Sequence, residues 1–182
     1  MVKKKPVWFL DVDGVVNVLK WKTASNKLPA YKSMWDEWEE TVILGYPILF
    51  SPELIHEINV LSTFVDIKWL TTWKYDAAKH FAPKVGLHEF DVADAHGSDN
   101  PNAHTFQSEN WWKLNAVMES LEKEGAPVIW SDDEINRKTT GALVKKHATL
   151  LNIPIKTFAP FSGQGLGKHH IENAYVFIEE NS

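Results

Sequence analysis

Acidic residues placed straight after buried apolar runs are the first sign of chemistry in this chain. Pro6–Leu10 (Pro-Val-Trp-Phe-Leu) runs into Asp11 and Asp13, and Pro127–Trp130 runs into Asp132 and Asp133. Another strand candidate, Val65–Leu70, ends on Thr71 and Thr72. A carboxylate at the edge of an apolar interior is costly unless a positive charge neutralises it. A hard divalent cation is the natural partner, and carboxylate oxygens together with water suit Mg2+. Taken singly, each acidic pair reads equally well as loop acids capping the next helix. Brought to one edge, they are expected to form a single cation site.

Whether they converge depends on the elements between them. A short apolar run closed by turn residues reads as a buried strand, and Ile155–Phe158 gives a fourth strand candidate. Ser51-Pro52-Glu53 is a helix start, with a capping hydroxyl, proline at the first helical position and an acid in the first turn. Leu54, Ile55, Ile58 and Leu61 then recur at helical spacing. Trp111, Leu114, Val117, Met118 and Leu121 mark another helix, with Gly125 just past its end. Ile135, Ala142, Leu143 and Leu150 suggest a third helix, and Ile171, Ala174, Tyr175 and Ile178 a last one. Strands alternating with helices predict right-handed crossovers and a mainly parallel sheet covered on both faces, a three-layer Rossmann-like α/β fold. In such a sheet, ligands bind at the carboxyl ends of the strands. Two stretches fall outside this rhythm. Residues 39–50 alternate around Gly45-Tyr46-Pro47 and predict a hairpin, preceded by a short helix over Ser33–Glu40. Residues 93–108 are rich in Gly, Pro, Asn, Asp and His and predict a functional or mobile loop. No repeat or linker interrupts residues 1–182, and a single domain is expected.

Asp11-Val12-Asp13-Gly14-Val15-Val16-Asn17 resembles the first motif of the haloacid dehalogenase-like phosphatase superfamily. Thr71 after a strand, Lys113 at a helix start and Asp132-Asp133 after a later strand are similar to its remaining motifs, in order. The resemblance implies that Asp11 attacks phosphorus and forms an aspartyl-phosphate. It implies that Asp13 protonates the leaving oxygen and later takes a proton from water. Gly14 would let the backbone turn tightly, with its amides facing the phosphate. Thr71, in preference to Thr72, would hydrogen-bond a phosphoryl oxygen, and Lys113 would offset charge on nucleophile and phosphoryl group. Asp11, the Asp13 carbonyl and Asp132, with Asp133 beside it, would hold Mg2+. Gly14, Thr72 and Trp73 are then the expected substrate contacts. A Trp after the second-motif Thr, here Trp73, is similar to small domains of this superfamily associated with RNA-end repair.

The same resemblance sets the substrate expectation, a phosphomonoester such as a nucleotide or nucleic-acid end. The superfamily's dehalogenases lack the second aspartate that Asp13 supplies, and its phosphonatases and sugar phosphomutases usually carry a large cap. Here residues 17–51 hold only a hairpin and a short helix, so a cap-poor, open site is expected. Selectivity would then come from its rim, where Trp21, Tyr31, Trp35, Trp38, His104, Phe106, Trp111 and Trp112 are candidates for stacking on a base. The alternatives are a general phosphatase for sugar phosphates and other small metabolites, or a regulatory module that binds phosphate without turnover.

Composition narrows the rest. The 182 residues are 44% hydrophobic and 24% charged, the balance of an ordinary globular protein rather than a disordered one. A formal charge of −5 supplies no basic field for a long duplex. The absence of cysteine excludes disulfides and thiolate metal sites. Lys3-Lys4-Lys5 is not followed by the long uncharged core of a signal peptide, and no uncharged run approaches the ~20 residues of a membrane span. A cytoplasmic protein with no membrane association and no obligate protein partner is expected. Gly163-Gln164-Gly165-Leu166-Gly167-Lys168 resembles a phosphate loop, but His169 stands where Ser or Thr is required, so a turn into the last helix is expected. His88, His96, His104, His169 and His170 lack the pattern of a metal site and are expected at the surface.

Overall fold

The computed structural model describes residues 4–19, 30–94, 99, 111–136 and 139–182. Five strands form its centre: β1 Val7–Leu10, β4 Asp66–Trp69, β5 Asp91–Val92, β6 Val128–Ser131 and β7 Ile155–Phe158. They lie side by side in the order β5-β4-β1-β6-β7, and all neighbouring pairs are parallel. The two neighbours of β1 come from opposite halves of the chain, so the strand order reverses at β1. That switch point is where an open parallel sheet leaves a crevice at its carboxyl edge.

β1 shows why both faces must be covered. Its side chains alternate, with Trp8 and Leu10 in one apolar cluster and Val7 and Phe9 in another. The first cluster is closed by α1 (Pro52–Leu61) and α5 (Lys168–Asn181), through Leu54, Ile58, Ile171 and Ile178. The second is closed by α3 (Trp112–Glu124) and α4 (Thr140–Leu151), through Leu114, Val117, Leu121 and Val144. At about 1.5–3 kcal/mol for each large apolar side chain withdrawn from water, these two clusters hold the three layers together.

The helix signals act as expected. Ser51 Oγ accepts from the Leu54 N–H at 3.3 Å and Pro52 opens α1. Gly125 closes α3 in the left-handed region, φ 59°. The hairpin is also present, as β2 (Glu39–Ile43) and β3 (Tyr46–Phe50), but it forms a separate two-stranded sheet. The helix expected over Ser33–Glu40 is absent. A 3-10 turn covers Ala30–Ser33, and β2 already begins at Glu39. The Glu53 carboxylate accepts from the Asp36 and Glu37 N–H groups at 2.7 and 3.0 Å, which diverts those amides from any helix. A second short helix, α2 (Ala82–Val85), continues a π-turn over Ala77–Phe81. No described helix is long and apolar enough to cross a membrane.

Candidate active site

β1 and β6 lie side by side, and the chain leaves both at the same edge. The Asp11 N–H bonds the Ser131 carbonyl at 3.1 Å, which places the residues after the two strands against each other. Leu70 N–H likewise bonds the Leu10 carbonyl at 2.9 Å, so Thr71 emerges beside Asp11. Three separate stretches of sequence therefore reach one edge because the strands that precede them are paired in register.

The centre is a buried ion cluster. Lys113, from the first turn of α3, donates to Asp11 Oδ2 and to Asp132 Oδ2, both at 2.6 Å. Asp11, Asp132 and Asp133 each present a carboxylate oxygen, all within 4.8 Å of one another. The remaining oxygens are oriented locally. Asp11 Oδ1 accepts from the Val12 N–H at 2.8 Å, and Asp132 Oδ1 from the Glu134 N–H at 2.9 Å. One ammonium is thus shared between two buried carboxylates, Asp11 and Asp132, with the half-buried Asp133 beside them.

The titration of the cluster follows from that arrangement. Burial pushes the Asp132 carboxyl up to about 8, the charge on Asp11 adds to the rise, and Lys113 opposes it. Burial also works against the Lys113 charge, but Asp11 and then Asp132 outweigh it and hold the ammonium above its ordinary value. Lys113 is thus firmly charged, while burial of Asp132 outweighs the pull of that ammonium. A divalent cation fits this donor set in charge, in ligand type and in spacing. Asp11, Asp132 and Asp133 are the side chains that would hold it.

Asp13 belongs to a different arrangement. Its side chain is not part of the carboxylate cluster, which leaves its main-chain carbonyl as the group the metal expectation assigned to it. Its Oδ1 accepts from Asn17 Nδ2 at 2.7 Å and its Oδ2 from Trp73 Nε1 at 2.8 Å. Asn17 in turn accepts the Leu49 N–H at 3.0 Å through its own Oδ1, tying the Asp13 side chain to β3. Asn17 is a functional residue that the sequence displayed inside the first motif without a role. Its signal is a buried amide four residues after an acid, and only the hairpin's position shows what it does.

Gly14 is required twice. Its φ of +78° is left-handed, and a Cβ there would lie 2.5 Å from Asp133 Oδ2 and 2.9 Å from Ser162 Cβ. The turn it permits lets Val15, Val16 and Asn17 direct their N–H groups to the Val12 carbonyl. Thr71 is buried, and its Oγ1 accepts from the Trp73 N–H at 3.3 Å. Thr72 is exposed and lines a cavity with Asp13 and Trp73.

The aromatic rim needs correction. Tyr31, Trp35, Trp111 and Trp112 are 8%, 5%, 1% and 3% exposed and belong to the core. Trp111 and Trp112 instead wall the Lys113 ammonium, which lies 5.8 and 5.9 Å from their ring centres. Trp35 donates its indole N–H to the Leu166 carbonyl at 2.7 Å, and half-buried Trp38 packs edge-on to Tyr31. Trp21, His104 and Phe106, like His96, lie outside the described residues. The glycine-rich stretch does lead into α5, with Gly167 at the N-cap. His170 is half-buried there rather than at the surface, and stacks on His169 at 3.8 Å. Compared with protein-family models, curated proteins and solved structures, the chain finds no match.

Proposed function

We propose that the protein is a Mg2+-dependent phosphomonoesterase working through an aspartyl-phosphate on Asp11. The observation that carries this is the Lys113 ammonium held between Asp11 and Asp132, beside an Asp13 whose carboxylate is fixed by separate donors. Two neighbouring aspartates in such different surroundings are suited to different tasks. Asp11, with the Lys113 ammonium on its Oδ2, forms a bond from its carboxylate oxygen to phosphorus as the bond to the leaving oxygen breaks. Asp13 delivers its proton to that leaving oxygen. Its carboxylate then removes a proton from water, whose oxygen attacks phosphorus. The Asp11–phosphorus bond breaks, and inorganic phosphate and both starting carboxyls are restored.

The other residues hold this geometry. Lys113 offsets charge on Asp11 and on the phosphoryl oxygens, and Thr71 offers a hydroxyl to one of them. Gly14 opens room for Asp133, whereas the amides expected to face the phosphate are taken up within the turn, Gly14 by the Asn17 carbonyl and the next three by the Val12 carbonyl. Mg2+, when bound, supplies the charge that lets an anionic nucleophile approach a dianionic ester. A module that only binds phosphate has no use for a separately positioned proton donor, so the two donors on Asp13 favour turnover. Since four of the five described candidates for the stacking rim are core, the choice among phosphate monoesters falls to surface groups beside Asp13.

Replacing Asp11 by Asn removes the nucleophile's charge at nearly constant shape. Turnover of a generic aryl phosphate is expected to fall by at least about a thousandfold with an unchanged circular dichroism spectrum. EDTA is expected to abolish wild-type activity and added Mg2+ to restore it. Full activity in chelator, or in Asp11→Asn, would overturn the proposal.

A further inference from the structure

Beside Asp13 lies a cavity of about 340 Å3, lined by Asp13, Leu44, Tyr46, Thr72, Trp73 and Asp76. That volume is at the lower end for small-ligand sites. Its outer wall is the hairpin turn between β2 and β3. Leu44 and Gly45 both have positive φ, 51° and 84°, which makes a tight two-residue turn. Leucine is poorly suited to the first of these positions, where asparagine or glycine is favoured, and its side chain is 52% exposed there. Tyr46 follows, 63% exposed, with its ring 5.7 Å from that of Trp73 at an interplanar angle of 63°. Large apolar groups are thus displayed to solvent next to the proton donor, in a turn that does not favour them.

The inner wall is fixed to the chemistry. The Trp73 ring that meets Tyr46 is the same ring whose N–H holds Asp13 Oδ2. A leaving group that receives a proton from Asp13 must therefore lie along Trp73 and under Tyr46. The cavity's charge is one-sided as well. Asp13 and Asp76 both line it, and none of its lining residues is a lysine or arginine. The adjacent Lys74 is paired with Asp99.

Resting on the phosphomonoesterase reading, we propose that this cavity is the leaving-group site. It takes a flat, uncharged leaving group such as the nucleoside of a nucleoside monophosphate, and disfavours one that bears a second phosphate. Stacking on the exposed Tyr46 ring recognises the flat group, and Asp76 accepts hydrogen bonds from its hydroxyl or amino groups. A second phosphate would meet two carboxylates and, among the described lining residues, no lysine or arginine. This narrows the substrate from nucleic-acid ends, whose leaving groups carry further phosphates, to isolated monophosphates.

The test compares kcat/KM for adenosine 5′-monophosphate, glycerol phosphate and adenosine 3′,5′-bisphosphate in wild type, Tyr46→Ala and Asp76→Asn. Calorimetric binding of adenosine 5′-monophosphate is measured alongside. Wild type is expected to prefer the nucleotide over glycerol phosphate by about tenfold, as stacking of one base would give. Tyr46→Ala should bring that ratio to within about twofold by costing the nucleotide more than glycerol phosphate. The bisphosphate should be about fivefold poorer than the monophosphate, and Asp76→Asn or added salt should narrow the gap. Equal loss on all substrates in Tyr46→Ala, or a bisphosphate as good as the monophosphate, overturns the cavity assignment while phosphatase activity stands. If wild type hydrolyses no ester but binds the nucleotide in a Tyr46-dependent manner, the phosphatase reading fails and the binding site stands. Neither hydrolysis nor Tyr46-dependent binding overturns both.

Discussion

Asp11 and Asp13 carry the same functional group two residues apart, and their neighbours separate them. Asp11 faces an ammonium, whereas Asp13 faces two neutral N–H donors, from Asn17 and Trp73. The first setting holds a counter-charge at the proposed nucleophile, and the second fixes the position of the proposed acid/base group. Asp13→Asn is therefore expected to reduce turnover of alkyl phosphates far more than that of esters with activated aryl leaving groups, which need little protonation. Trp73→Phe keeps the ring and removes the N–H, so it should show the same leaving-group dependence more weakly, about tenfold on the poor leaving group. Steady-state rates across a series of leaving groups of graded pKa check both. A uniform loss would mean that Asp13 is not the proton donor. In the sequence, the acids were legible because a carboxylate at the end of a buried apolar run is costly without a partner charge. Lys113 was legible only through the family resemblance, since a lysine at a helix start is otherwise commonplace. Asn17 and Tyr46 were not legible, because their roles depend on where a hairpin folds back.

At the scale of elements, β1 and β6 were readable because both their faces are buried, and β4 because its polar and apolar residues alternate. β5 was not, since two residues, Asp91 and Val92, show no periodicity. The stretch over Ser33–Glu40 has helix-like spacing, but Glu53 captures its amides and Trp35 is anchored to Leu166, so distant contacts override local preference. The start of α5 gives a prediction of its own. Gly167 N–H donates to His170 Nδ1 at 3.0 Å, which places the ring's proton on Nε2. Burial first, and then His169, lower the His170 pKa from 6.5 to about 4. The folded pKa lies below the unfolded one, so the unfolded chain takes up a proton first as pH falls. His170 therefore favours the fold above about pH 6.5 and loses that contribution as pH drops toward 4. Thermal unfolding between pH 7 and 4.5 should show a decline in Tm that is shallower in His170→Gln, whose side-chain oxygen can still accept the Gly167 N–H. An identical slope in both would show that the ring titrates normally.

For the whole molecule, the decisive feature is that folding concentrates like charges at one sheet edge. The chain's formal charge is only −5, yet Asp11, Asp132 and Asp133 are gathered around the buried Lys113. Native packing elsewhere must offset this local repulsion, which makes a cation that binds only the folded state a stabilising ligand. At a hundredfold excess over its dissociation constant, such an ion adds ~2.7 kcal/mol. For a chain of this size that corresponds to a Tm rise of roughly 5–11 °C. The pH dependence has a definite sign. The Asp132 carboxyl, raised by burial from 3.8 to about 8, favours the fold when protonated, so its contribution is lost as pH rises toward 8. Below that pH the cation must displace a proton, and its affinity weakens by up to about tenfold per unit. The metal-free protein should therefore lose stability from pH 6.5 to 8 through this group, while the Mg2+-induced rise in Tm grows over the same interval. Differential scanning calorimetry at fixed Mg2+ concentration, with and without EDTA, reads both trends. Asp133→Ala removes one ligand and should shrink the Mg2+-induced rise at every pH, and a rise that is the same in that variant would place the cation elsewhere.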